Sequence, residues 1–283
     1  MQQLKFDRKK WGKELLIDAY NQDELEFSSQ ELVMDFYSLL FVRKGQGTYY
    51  LDTEKINLDQ HMVLFIRPGQ VSNVDQIDLE KCQLLFFEGE FLDRFFNLQD
   101  FIFKFGCFHN PDRPSSIILI EEHFQFYYLI AKEIRWELHN QTADSEHILR
   151  SLIYYLLVRL NQTYAHEYGT ANNVYTDSII IQFLKLLDQS FKTEKTVEGC
   201  AQKLGISRVQ LNHLCKKHFS KTANQMIRER LIAEIKKALK YESKSIAEIA
   251  YDFNFSAPSH FSRFVKQMTG LTPQECKIHL SNW

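Results

Sequence analysis

The chain has 283 residues, 45% hydrophobic, 14% aromatic and 25% charged; at ~100–200 residues per domain that length suits two folded units. The 23 Phe and 13 Tyr against 5 Pro and 10 Gly exclude a disordered or collagen-like chain, and no apolar run reaches the ~18–20 residues of a membrane span. The formal charge of −2 hides a split: residues 1–171 hold 17 Lys+Arg and 26 Asp+Glu, whereas residues 172–283 hold 17 and 10, giving balances of −9 and +7. Such asymmetry suits a second part that faces a polyanion, or else ordinary surface variation, and motifs must decide between them.

The first residues, Met1–Lys13, are basic but run into Leu15-Leu16-Ile17-Asp18, too short a stretch for a signal h-region. The sequons at Asn140 and Asn161 then read as chance matches. Cys82, Cys107, Cys200, Cys215 and Cys276 are odd in number and form no Cys-x-x-Cys pair, which leads us to expect a reducing, cytoplasmic setting.

From Val33 to Phe87 short apolar runs alternate with turn residues. Val33–Val42, Thr48–Leu51, Met62–Ile66 and Gln83–Phe87 read as strands, separated at 44–47 (KGQG), 52–55 (DTEK) and 67–70 (RPGQ). This spacing predicts an antiparallel barrel or sandwich, with Gly45 and Gly47 in a hairpin turn rather than a nucleotide loop. After Pro114 the period becomes helical: Phe124, Tyr127, Tyr128, Ile130, Ala131, Ile134 and Leu138, then Ile148, Leu149, Leu152, Ile153, Leu156, Leu157 and Leu160. Asp144 or Ser145 is placed to cap the second of these helices. Its wide stripe serves either packing within the domain or a dimer seam, with Glu146, Arg150 and Arg159 flanking it.

The runs Leu40–Tyr50 (LFVRKGQGTYY) and Leu64–Gln70 (LFIRPGQ) resemble the cupin-type sensor domain that precedes the DNA-binding part of many AraC/XylS-family regulators. Catalytic cupins resemble one another in a His-x-His pair, a carboxylate and a later His. Here residues 70–74 read QVSNV, His61 stands alone, and His109, His123, His139 and His147 lie beyond the strands. We therefore expect no metal, no cofactor and no catalytic residue, and read the barrel as a binding domain. Tyr37, Tyr49 and Phe65 are pocket-lining candidates if the strand register turns them inward.

Gly169–Asn173 is a small polar stretch that reads as a linker. Beyond it, Val197–Phe219 (VEGCAQKLGISRVQLNHLCKKHF) has a small residue, Ala201, where two helices must approach, and Gly205 where a tight turn needs positive φ. Ile206 plugs the turn, Ser207 caps the next helix, and Leu211 and Leu214 face inward. That design is a helix-turn-helix, its second helix starting near Arg208.

It recurs in Ile246–Met268 (IAEIAYDFNFSAPSHFSRFVKQM). Ala250, Asn254, Phe255 and Ser256 match Ala201, Gly205, Ile206 and Ser207; after one extra residue Phe261, Phe264 and Lys266 match Leu211, Leu214 and Lys216. Asn is the residue that best tolerates the left-handed region after Gly. Thr222–Met226 answers Thr272–Cys276. Between the copies, Ile227, Leu231, Ile235, Ala238 and Leu239 mark one face of a helix of about 18 residues, roughly 27 Å. Such a strut can hold two recognition helices about one DNA turn, ~34 Å, apart.

First-turn, solvent-side positions of the recognition helices are Arg208, Val209, Asn212 and His213 in one copy and Ser259, His260 and Arg263 in the other. Arg263 suits guanine, Asn212 adenine, and Val209 a thymine methyl. Arg208, Lys216, Lys217, Lys221 and Lys266 fit phosphate contacts, or a solvated basic face.

The segment from about Thr176 to Lys277 resembles the AraC/XylS-family DNA-binding domain. The resemblance is carried by Ala201, Gly205-Ile206-Ser207, Ile246–Ala250, Asn254-Phe255, Phe261–Lys266 and Gly270–Pro273. The chain departs from the family pattern at Ser220, Asn254, Val265 and Cys276. The resemblance implies base contacts at Val209, Asn212, His213, Ser259, His260 and Arg263, a small-molecule effector, contact with RNA polymerase, and activation more than repression. The expected layout is an α+β protein: a cupin-like β-barrel sensor and dimerisation domain over residues 1–168 (barrel about 25–115, helices about 120–168), a linker at 169–175, and an all-α domain with two helix-turn-helix motifs over 176–283. The partners expected are double-stranded DNA, read in two adjacent major-groove segments per monomer, and a second copy of the chain. Two alternatives stay open: a sensor for a protein partner or for no ligand, and a cupin enzyme fused to a DNA-binding module.

Overall fold

The computed structural model describes residues 2–4, 7–25, 31–96, 101–109, 113–169, 178–219 and 221–281. The chain divides into two compact units, Met1–Val174 and Tyr175–Trp283. Apart from Gly169, the expected linker lies outside the described residues, as does Ser220.

The first unit opens with strands β1 (Gln2–Leu4), β2 (Ile17–Asn21), β3 (Leu32–Met34), β4 (Tyr37–Leu51), β5 (Glu54–Leu58), β6 (Met62–Ile66) and β7 (Val71–Phe87). Short helices α1 (Glu90–Phe96) and α2 (Gly106–His109) follow, with a 3₁₀ turn at Phe101–Lys104 between them. Then come β8 (Ser116–Ile118) and two long helices, α3 (Glu121–His139) and α4 (Ser145–Glu167). The sheet order is β1-β3-β7-β4-β6-β8, with β2 also on β7 and β5 also on β4. Every pairing is antiparallel except β1 with β3.

This sheet is open, which corrects the expected barrel: among the described residues no pairing joins its two ends. Long strands β4 and β7 form a spine from Tyr37↔Phe87 to Leu51↔Ser72, and each half of the spine takes a different outer neighbour. The last strand, β8, is closed off by a helix rather than by the first strand. Tyr168 donates to the Ser116 carbonyl at 2.8 Å and Tyr164 to the Pro114 carbonyl at 3.0 Å, which satisfies edge carbonyls that another strand would otherwise seek.

The glycine pair at 45–47 is not a hairpin turn either. It lies inside β4, where the register to β7 shifts at Val42/Lys44, Lys44/Gly45 and Gln46/Thr48. A Cβ on Gly45 would stand 2.5 Å from the Asp78 carbonyl oxygen, so glycine serves close backbone approach at a bulge. The reversals fall at Asp52, at His61 and at Gly69, with φ of 54°, 60° and 80°. Asp52 knits two of them together by accepting from the Val71 N–H (2.9 Å) and the Gln70 amide (3.1 Å).

Alternation along the strands gives the sheet two apolar faces. Leu40, Val42, Tyr49, Leu64, Ile66 and Phe86 share one core cluster. On the opposite parity Phe41 meets Phe124 of α3 (6.3 Å) and Phe65 meets Phe108 of α2 and Tyr164 of α4 (5.7 and 5.6 Å). The three pocket candidates therefore part company. Tyr49 lies in the first core, where burial pushes its hydroxyl up to about 12, while Phe65 and Tyr37, the latter against Phe87 and Phe108, lie under the helices.

Of the α4 stripe, Leu149, Ile153, Leu156, Leu157 and Leu160 are fully buried within the protomer, so it is core rather than seam. Arg150 is committed inside as well: it donates to the Phe91 carbonyl (3.1 Å) and pairs with Glu146. The Ser145 hydroxyl accepts from the Thr142 N–H at 2.6 Å, and Asp144 makes no side-chain cap. No described helix is long and apolar enough to cross a membrane.

Among the described residues the second unit is all helical: α5 (Ser178–Ser190), α6 (Val197–Lys203), α7 (Arg208–Phe219), α8 (Ala223–Tyr241), α9 (Ile246–Asp252), α10 (Pro258–Thr269) and α11 (Pro273–Ser281). Leu231, Ile235 and Leu239 of α8 share one core with Ile249, Ala250 and Phe253 of α9 and with Phe261 and Val265 of α10.

Candidate nucleic-acid interface

Two helix pairs repeat with the same lengths, since α6 and α9 have 7 residues each and α7 and α10 have 12 each. The turns also repeat bond for bond. In the first, Gly205 (φ 67°) donates to the Gln202 carbonyl and Ile206 to the Ala201 carbonyl, both at 3.1 Å. In the second, Asn254 (φ 52°) donates to the Tyr251 carbonyl at 2.8 Å and Phe255 to the Ala250 carbonyl at 3.0 Å. Ala201 and Ala250 are buried where the helices cross. These positions were legible because each is dictated by local geometry.

The helix starts repeat too. Thr196 caps α6, accepting from the Gly199 N–H at 3.1 Å, and Ser245 caps α9 with Glu248 closing a capping box. Ser207 and Gln210 cap α7 reciprocally (3.2 and 2.9 Å). Thr222 with Gln225, and Thr272 with Glu275, do the same for α8 and α11. The backbone N–H of Ser245 holds the Glu248 carboxyl below its ordinary value, and that of Thr272 does so for Glu275.

One expected match fails. The N-cap of α10 is Ala257, without a side-chain bond, and Pro258 occupies the first turn, where its missing N–H costs nothing. The extra residue in this turn moves Ser256 off the cap. Its hydroxyl meets the His260 Nδ1 at 2.9 Å instead. The inward residues of the two helices are Leu211 with Cys215 and Phe261 with Val265. Leu214 and Phe264 are only half-buried, and the Arg228 guanidinium lies 5.1 Å over the Phe264 ring.

The outer faces carry most of the expected set. Arg208, Val209, His213, Lys216 and Lys217 are exposed on α7, and Ser259, His260, Arg263 and Lys266 on α10. Val209 is 74% exposed, an unusual position for a branched apolar side chain with no intramolecular purpose. Arg208 pairs with Glu198 at 2.6 Å, but both groups are more than half exposed, so the pair is weak and open to exchange.

Two expected contacts have other tasks. The Asn212 amide donates to the Arg208 carbonyl (3.2 Å) and its oxygen accepts from the Ala223 N–H (3.1 Å). These two bonds join α7 to the first turn of α8, and each end of the amide keeps a second hydrogen-bonding site. Lys221 forms an ion pair with Glu229 at 2.6 Å, with 18% of its side chain exposed, so a phosphate there would compete with that carboxylate.

Sequence reading missed Lys195 altogether. Its ammonium donates to the Phe253 and Asn254 carbonyls, the latter at 2.9 Å, and lies 4.1 Å over the Phe255 ring. Burial pulls its pKa below the ordinary lysine value. Nothing local marks this residue, because its partners lie 58 and 59 positions away. Among the described residues no cluster of His, Cys, Asp and Glu could hold a metal ion.

Residues 200–277 match the family described as a helix-turn-helix domain. Over 244 residues the chain is 21% identical to the HTH-type transcriptional activator RhaS of Mannheimia succiniciproducens, covering 86% of this chain and 87% of RhaS. It is 22% identical over 284 residues to the Msm operon regulatory protein of Streptococcus mutans, covering 95% and 94%. Among solved structures, unsaturated fatty acid-bound wild-type ToxT from Vibrio cholerae matches at 14% identity and a TM-score of 0.41, over 95% of this chain and 96% of that one. The fatty acid belongs to ToxT.

Proposed function

Because the chain belongs to the AraC/XylS family of helix-turn-helix DNA-binding transcription regulators, we propose that α7 and α10 enter two successive major-groove segments of one duplex. What carries this reading is the repeated helix pair, each copy presenting an exposed basic face, across the 19-residue α8. A helix of that length runs about 28 Å, close to the ~34 Å between grooves on one side of DNA. Val209, Asn212, His213, Ser259, His260 and Arg263 are the base-reading residues. Arg208, Lys216, Lys217 and Lys266 hold phosphates, which position the protein without specifying sequence.

The test begins with a duplex selected from a random library by the whole chain. On that duplex Lys217→Ala and Lys266→Ala should each weaken binding evenly across sequences and lower the salt slope by about one. Slopes unchanged in both variants would reduce these lysines to solvated surface.

In this reading the first unit is a cupin-like sensor, as its Leu40–Tyr50 and Leu64–Gln70 motifs suggest. A small-molecule effector that binds one state of the protein more tightly shifts its population and so changes promoter occupancy. RhaS and RhaR are both named as transcriptional activators, which supports activation, through RNA polymerase, as the output. Five buried, unpaired cysteines support a cytoplasmic setting.

The protein acts as a homodimer in this reading, through a face other than the buried α4 stripe. Phe126, Leu129 and Trp136 line the outer side of α3 and are 42%, 60% and 56% exposed; Tyr155 of α4, 47% exposed, stands 6.2 Å from Phe126. Leu129→Glu with Trp136→Glu should give a monomer in sedimentation while leaving the fold intact, since neither side chain is core. A wild-type species of 33.6 kDa at micromolar concentration would contradict the dimer.

A further inference from the structure

We propose that Lys195 and Asn254 latch the segment before the first motif onto the turn of the second. The angle between α7 and α10, and with it the half-site spacing that the protein accepts, is then fixed at two points rather than by α8 alone. This rests on the two-segment reading above.

The latch is built from both sides. Lys195 immediately precedes Thr196, the cap of α6, so its backbone is tied to the start of the first motif. Its ammonium reaches the Phe253 and Asn254 carbonyls, where α9 ends and the second turn begins. Carbonyls at a helix C-terminus carry the negative end of the helix dipole and lack intrahelical partners, so a cation is well matched to them. In return the Asn254 side-chain amide donates to the Lys192 carbonyl at 3.2 Å. The Lys192 ammonium lies 5.0 Å from the Phe253 ring centroid, and the Phe191 ring 6.1 Å from it.

This explains the departure from glycine at 254. Glycine would satisfy a φ of 52° with no Cβ penalty. Asparagine accepts that small strain and supplies a bond that glycine lacks. A strut joined to a motif at one place still allows twist about its own axis, whereas a second attachment away from that axis removes it. Lys195 is thus a positioning residue that never needs to touch DNA.

The experiment measures the angle directly. In the full-length chain, nitroxides on Val209→Cys and Ser259→Cys report the α7–α10 distance by pulsed electron resonance, the five native cysteines being buried. The unaltered latch should give one narrow distance distribution. Lys195→Met, which keeps the stem over Phe255 but removes the charge, should widen it, and Lys195→Arg should restore it. Asn254→Gly, which keeps the turn, should widen it too and carries the test if Lys195→Met does not fold. In chains without labels, the preference for the selected duplex over one with base pairs inserted between its half-sites should fall about tenfold in Lys195→Met.

Unchanged width and unchanged spacing preference in Lys195→Met and Asn254→Gly would overturn the latch. A selected duplex with only one half-site would instead defeat the two-segment reading, and the distance distributions alone would then decide the latch.

Discussion

Phe261→Ala is expected to destabilise the second unit by about 3–5 kcal/mol, the cost of emptying a large aromatic site in a close-packed core. Phe261 is fully buried, its ring 5.3 Å edge-on to Phe255, and it shares a core with Ile235, Leu239, Ile249, Ala250 and Val265. It is the residue that seats α10 against both α8 and α9. Two units need not unfold together, so the measurement is amide hydrogen exchange in α10 and α11 rather than one global melting curve. Protection there should fall by several orders of magnitude, while α3 and α4 of the first unit keep theirs. Unaltered protection of α10 would mean that Phe261 does not seat it.

Arg263→Ala is expected to cost about 1–3 kcal/mol of DNA binding and to relax preference at a single base pair. Arg263 is exposed on the first turns of α10, on the opposite side from Phe261 and Val265. A planar guanidinium there can meet O6 and N7 of one guanine together in a fixed fork geometry. Competition binding against a panel of singly substituted duplexes separates the outcomes. A loss confined to one position marks a base reader; an even loss across the panel marks a phosphate contact.

Legibility in the sequence followed the range of the interaction. Gly205 and Asn254 were readable because a tight turn demands positive φ, and Ser207 because a helix cap is complete within four residues. The strut was readable from its apolar period, and Leu231, Ile235, Ala238 and Leu239 are all buried. What was missed depends on partners beyond the residue's own helical turn. Asn212 sits at a base-reading position of its helix, yet it turns to the start of α8, 11 residues on. Lys221 looked like one more surface cation until Glu229 took it up.

In the first unit, bulges defeated the reading. A residue inserted in a strand reverses which side chains face inward, and across the β4–β7 shifts Leu40 and Val42 share a core with Tyr49 and Leu51, so a 15-residue strand looked like two strands and a turn. The charged run Asp75, Asp78, Glu80 and Lys81 hid the middle of the 17-residue β7 in the same way. The α4 stripe was read as apolar with two possible neighbours, its own domain or a second copy, and its buried residues take the first. Periodicity reports that a face is buried and does not report by what.

The most direct test of two-helix recognition is methylation interference at guanine N7 along the selected duplex, with the whole unmodified chain. N7 lies in the major groove, so each interfering guanine marks a groove segment that the protein enters. For each chain bound, two clusters on one face of the duplex, their centres about 10 base pairs apart, are the predicted result, with the α10 cluster losing a guanine in Arg263→Ala. A single cluster, or two on opposite faces, would contradict it.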